Sequence, residues 1–172
     1  MKLRLKIGEI AVFGVLGGLL FASKLAMEVL PNIHLVGVFT VVLTVVYRWK
    51  ALYPLYIFVI MLGLYYGFNM WWIPYLYIWT ILWLAVMLLP KNMPKKIAPW
   101  VYMTVCSLHG FLYGTLYAPV QALMFGYNLE ETIAWIIMGF PFDFIHGVSN
   151  FFCGIMILPL VKAIRTAHKS IS

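Results

Sequence analysis

Apolar residues dominate this chain in long stretches, each stopped by a short cluster of polar, glycine or proline positions. A helix crossing a bilayer needs about 20 mostly apolar residues, fewer where flanking groups reach back to the interface. On that rule the pattern predicts helices near 8–27, 33–48, 52–68, 72–89, 98–118 and 142–165. Pro31-Asn32 is the first predicted turn and Arg48-Trp49-Lys50 the second. Asn69 with Trp71 and Trp72 marks the third, and Pro90-Lys91-Asn92-Met93-Pro94 the fourth, because two prolines so close break a helix. Residues 119–141 are apolar but interrupted by Pro119, Gly126, Asn128, Glu130, Glu131 and Pro141. Asn128 is placed to cap a short helix over Leu129–Met138, with the two glutamates in its first turn. That segment is expected to be an interfacial helix or a lid; a broken crossing is the alternative, which the charge distribution disfavours.

Composition fixes the solvent. Of 172 residues, 65% are apolar and only 10% charged, with mean hydropathy +0.97. Water-soluble domains carry about a quarter charged residues, so the expected class is an all-α integral membrane protein. The expected architecture is a six-transmembrane-helix bundle forming a single domain over 1–172, with the short interfacial helix between spans five and six. The start, MKLRLKIGEIAVFGVLGGLLF, has the basic and apolar regions of a signal peptide, but no A-x-A site precedes the next helix. It reads as a retained first span.

The net charge of +7 is not spread as in a nucleic-acid binder. Basic residues form four clusters: Lys2/Arg4/Lys6, Arg48/Lys50, Lys91/Lys95/Lys96 and Lys162/Arg165/Lys169. Each borders an apolar stretch, and two predicted crossings separate one cluster from the next. That is the positive-inside pattern with both termini cytoplasmic. Only Lys24 lies outside the clusters, and Glu28, Glu130, Glu131 and Asp143 fall on the predicted outer half. Cys106 and Cys153 lie within apolar spans and read as buried thiols rather than a disulfide.

Three patterns carry candidate chemistry. The first helix places Gly14, Gly18, Ala22 and Ala26 at spacing four, with Ala11 and Gly17 beside them. Small residues so spaced let a second helix approach closely; the partner is either another helix of this chain or a separate subunit. In the last predicted helix, begun by Pro141, Asp143, His146 and Asn150 share one face. Ionisable groups within a membrane point into the bundle or a wet cavity, so these three either contact a ligand or fasten helices together. Span five presents His109, Tyr113 and Tyr117 at spacing four, and span four presents Tyr75, Trp79 and Trp83, with Trp71 and Trp72 at its mouth. Such stripes often only pack or face lipid. Here they converge on the half that also holds Glu28, Asn32 and His34, which predicts an outward pocket with aromatic walls and a few polar groups. No G-x-S-x-G, H-E-x-x-H or nucleotide-binding glycine loop occurs. Asp143-x-x-His146, completed by His109 or Glu131, would be a sparse metal site, so no enzyme and no metal are expected.

The whole chain resembles the substrate-binding (S) component of an energy-coupling factor (ECF) transporter, the vitamin-uptake ABC systems of prokaryotic plasma membranes. The resemblance rests on the number and size of spans, the small-residue face from Ala11 to Ala26, and the run GFPFDFIHGVSNFFCGIMILPLVKAI at 139–164. That run has a P-x-D-x-x-H-x-x-x-N face followed by Pro-Leu. The first-helix motif of the family is usually written with alanines; glycines hold two of its positions here. The resemblance implies high-affinity binding of a small, heterocyclic nutrient on the outside, at Glu28, Asn32, His34, Trp72, Tyr75, Trp79, His109, Tyr113, Asp143, His146 and Asn150. It implies docking through Ala11, Gly14, Gly18 and Ala22 onto the transmembrane coupling subunit EcfT, whose ATPases EcfA and EcfA' alone use ATP; the chain itself needs no cofactor. The alternatives are a membrane scaffold of the MreD type and, with less in its favour, a small secondary carrier, for which no inverted repeat is visible.

Overall fold

The structure, a computed structural model, describes residues 5–171, the last four by backbone alone. Lys2 and Arg4 of the first basic cluster, and the side chain of Lys169 in the last, lie outside the described residues. The fold is all-helical among the described residues. Its elements are α1 (Ile7–Ala26), α2 (Val36–Tyr47), α3 (Leu52–Tyr66), α4 (Tyr75–Leu88), α5 (Ala98–Phe111), α6 (Tyr113–Phe125), α7 (Leu129–Cys153) and α8 (Ile157–Ile171). Short 3₁₀ turns at Arg48–Ala51, Met70–Trp72 and Gly154–Met156 join α2 to α3, precede α4, and join α7 to α8.

Among the described residues four helical stretches are long and apolar enough to cross a membrane: Ile7–Ala26, Val36–Tyr66, Met70–Leu88 and Leu129–Ala167. The second is two helices in practice. Arg48 has φ 53° and ψ −119°, which ends α2 and reverses the chain. The Lys50 ammonium then meets Glu9 near the start of α1, while the hydroxyl of Tyr66, at the far end of α3, donates to Glu28 beyond the end of α1 at 2.7 Å. α3 therefore runs alongside α1 in the same direction.

Helix α2 is the mast of the bundle. Every residue from Val36 to Thr44 is buried, as expected of a helix apolar on all sides. Its two threonines spend their hydroxyls on carbonyls one turn back, Thr40 on Val36 at 2.8 Å and Thr44 on Thr40 at 2.6 Å. α4, α5, α7 and α8 pack around it, while α1 packs chiefly against α3.

Helix α7 is inverted relative to a water-soluble helix. Its buried positions are Asp143, His146, Gly147 and Asn150, while Ile137, Met138, Phe140, Phe142, Phe144 and Ile145 are exposed. Water would not tolerate so continuous an apolar face; hydrocarbon would.

Two expectations are corrected. The short interfacial helix and the first half of the predicted last span, 142–165, are one helix, Leu129–Cys153, which passes through Pro141, and the rest of that span is α8 beyond the Gly154–Met156 turn. Asp143 thus lies in mid-helix and not in a first turn. An interior proline removes one backbone hydrogen bond, and membrane helices tolerate that loss better than exposed ones. The predicted fifth span, 98–118, is broken at Leu112, and its second part continues as α6 to Phe125 past Pro119. Asn128 does cap α7. Its side chain accepts from the Glu131 amide at 2.9 Å, and the Glu131 carboxylate accepts from the Asn128 amide at 2.8 Å, a reciprocal capping box.

Candidate functional site

The two ends of the bundle differ chemically. Arg48, Lys91, Lys95, Lys162 and Arg165 gather around adjoining cavities at one end. The connection from α1 to α2 lies at the other end and carries the candidate site. Asn32, with φ 60°, takes the left-handed conformation that asparagine tolerates in turns. The turn folds the connection over the first residues of α4 and α6 and over His146 within α7. Beneath it is a cavity of about 190 Å³, lined by Lys24, Glu28, Asn32, His34, Tyr75, Tyr113 and His146 together with apolar residues of the connection.

The rings that line this cavity, His34, Tyr75, Tyr113 and His146, belong to a larger ring cluster drawn from five elements, in which Trp79 and His109 lie buried behind the lining. His34, from the connection, lies edge-on to His146 of α7 with centroids 4.5 Å apart, and to Trp79 of α4 at 5.9 Å. Tyr113 of α6 is 4.9 Å from His146 and 5.9 Å from Trp79. His109 of α5 is 5.5 Å from Trp79, and its Nε2 lies 3.0 Å from the Ile78 carbonyl. Tyr75 adds a wall 6.1 Å from Trp79. Four buried ring nitrogens in this cluster have no hydrogen-bond partner: His34 Nδ1, His109 Nδ1, His146 Nε2 and Trp79 Nε1. A buried donor or acceptor without a partner is costly, and two of these four atoms, His34 Nδ1 and His146 Nε2, belong to residues that line the cavity. Burial, and then the Lys24 cation, pull the His34 imidazole down to about 4, leaving it neutral near pH 7 with one nitrogen free to accept.

Glu28 and Tyr66 form a hydrogen-bonded rim. Lys24 also lines this cavity; sequence reasoning did not place it in the site, although it was the one cation outside the basic clusters. Tyr77 and Tyr117 brace α6 against α4, donating to the Leu116 and Trp71 carbonyls at 2.7 and 2.9 Å.

Five of the predicted site residues do not line the cavity: Trp79 and His109 are buried behind its rings, and three lie elsewhere. Trp72 gives its indole N–H to the Val59 carbonyl at 2.7 Å and packs on Phe68, so it supports α3 and does not line the cavity. Asp143 accepts the Gly114 amide with both carboxylate oxygens, at 3.0 and 2.9 Å. It thereby caps the first turn of α6 from a neighbouring helix, where the dipole favours a carboxylate. Asn150 is fully buried and donates to the Cys106 carbonyl at 3.2 Å. With Ser107, which donates to the Gly147 carbonyl at 2.8 Å, it fastens the seam between α5 and α7.

The small-residue face of α1 points outward. A Cβ at Gly14 or Gly18 would meet nothing within 4 Å, whereas one at Gly17 would strike Ile57 of α3. Ala11 and Ala22 are exposed. The close approach within the chain therefore uses Gly17 alone and leaves the Ala11-Gly14-Gly18-Ala22 line open. No group of three or more histidine, cysteine, aspartate or glutamate side chains suited to a metal occurs among the described residues. Compared with family models, with characterised proteins and with solved structures, the chain finds no match.

Proposed function

We propose that the protein is a membrane-embedded binding subunit for a small nutrient, of the kind the S components of ECF transporters represent. The reading takes the bundle as six crossings with both termini cytoplasmic, the basic end inside and the cavity outside. The observation that carries it is the cavity itself, where the rings of His34, Tyr75, Tyr113 and His146 form walls beneath a rim with Lys24, Glu28 and Asn32, and where His34 Nδ1 and His146 Nε2 have no hydrogen-bond partner. Aromatic walls with a few convergent polar groups suit a flat, heterocyclic ligand that both donates and accepts hydrogen bonds. At about 190 Å³ the cavity suits a ligand of one or two rings. A scaffold has no use for such a pocket, which favours binding over the MreD-type alternative. Binding needs no cofactor in this chain; uphill transport would draw on ATPases of a coupling subunit docked on the open face of α1.

Native mass spectrometry of the purified protein tests this reading. A retained small molecule, absent after purification of His146→Ala or of Trp79→Ala, is the expected result. If no ligand is retained and nutrient mixtures cause no shift in thermal stability, the binding reading fails.

A further inference from the structure

The basic end contains a second, separate site. Three adjoining cavities of about 200, 330 and 440 Å³ open there. Arg165 lines all three, Tyr102 the first two, and Lys95 the last two. Among the described residues five cations face them (Arg48, Lys91, Lys95, Lys162 and Arg165), and no carboxylate lines any wall. The nearest acid on that side, Glu9, is already paired with Lys50. Arg48 places one guanidinium nitrogen on the Met87 carbonyl at 2.7 Å, yet its buried Nε has no partner. Tyr102 is 5% exposed, so its ring is built into the wall and is not a mobile surface group.

Cations alone would suit any anion; the rest of the wall narrows the choice. Val45, Ala98, Leu158 and Val161 continue the cavities as an apolar groove between the start of α5 and α8. α8 itself is amphipathic, with Lys162, Arg165 and Thr166 on its exposed side and Ile157 and Val161 buried. Such a helix fits the boundary between headgroups and acyl chains. A basic cup opening into an apolar groove matches a molecule with a phosphate at one end and hydrocarbon at the other.

The geometry points to a binding site for one anionic glycerophospholipid. Its phosphate sits among Arg48, Lys91, Tyr102 and Arg165, and an acyl chain lies along Val161 and Leu158. Basic pockets between membrane helices hold acidic headgroups by the same charge logic. The site lies at the opposite end from the nutrient cavity and does not depend on that reading.

The test is lipid retention by the full chain in mixed micelles of phosphatidylglycerol and phosphatidylcholine, read by native mass spectrometry. Wild type should retain one phosphatidylglycerol in clear preference to phosphatidylcholine. Arg165→Gln with Lys91→Gln should weaken retention about tenfold or more, since each cation near an anionic headgroup is worth about 1 kcal/mol. Tyr102→Phe preserves the wall and should give a smaller loss, which guards against a misfolded double variant. His146→Ala should leave retention unchanged. Equal retention of the two lipids by wild type overturns the proposal, as does full retention by both basic-end variants. Release of the lipid by millimolar inorganic phosphate would make the site one for free anions, and binding of an acidic peptide without lipid preference would make it a protein dock; either result also overturns it.

Discussion

Two regions of this molecule are built from the same pattern of small residues and put it to opposite uses. Between α5 and α7, Gly110 and Gly147 meet so closely that a Cβ on Gly110 would lie 2.8 Å from the Gly147 Cα. Ser107 and Asn150 then bond across the contact, and Asp143 caps α6 beside it. On α1, Gly14 and Gly18 meet nothing. Small residues permit close approach in membrane helices, and polar side chains hold it. The seam has both, whereas the face of α1 has only the permission. A stripe of small residues accompanied by buried polar groups is a closed joint; one without them is a surface awaiting use.

The strongest way to break that comparison is Gly110→Ala. The new methyl would meet backbone and could not be relieved by a rotamer change, so a loss of about 1–3 kcal/mol is expected, read as a lower unfolding midpoint in detergent. Asp143→Ala should follow, at about 1–2 kcal/mol, because the buried Gly114 amide loses its acceptor; Asp143→Asn keeps one acceptor and should recover part of the loss. A paired test on α1 sharpens the contrast. Gly17→Ala would place its Cβ 2.5 Å from Ile57 Cγ2 and should destabilise by about 1 kcal/mol, whereas Gly14→Ala should stabilise slightly through helix propensity. The smallest effect on the fold belongs to Gly14→Leu with Gly18→Leu, within about 0.5 kcal/mol. On the proposed function, the same double change should abolish uptake in assays with a coupling subunit while ligand binding persists. Unchanged transport would remove the docking role from α1.

What the sequence revealed followed from how local each signal was. Asn128 and Glu131 lie three residues apart, and their capping box is a local bond, so it was legible. The turns at Asn32 and Arg48 were likewise marked by their own residues. The passage of α7 through Pro141 was not, because proline stops a helix only where its surroundings do not favour one, and those surroundings are tertiary. The convergence of Tyr75, Trp79, His109, Tyr113 and His146 could be read from helix faces. The diversion of Asp143 to Gly114 could not, because the glycines flanking Leu112, Gly110 and Gly114, read equally as helix-packing positions, and only the tertiary contact of α7 shows that the helix breaks between them. Trp72 misled for a related reason. Its ring lies at the mouth of α4, but its N–H points back to α3, and hydropathy records position without direction.

His34 has a consequence of its own. It is the one ring of the cavity floor that belongs to the roof, since it hangs from the connection between α1 and α2 yet packs against His146 and Trp79. The roof cannot lift without drawing its own keystone out of the floor. Any displacement of that connection therefore also parts His34 from His146 and Trp79, so the shape of the cavity and the packing of its rings are tied to one residue.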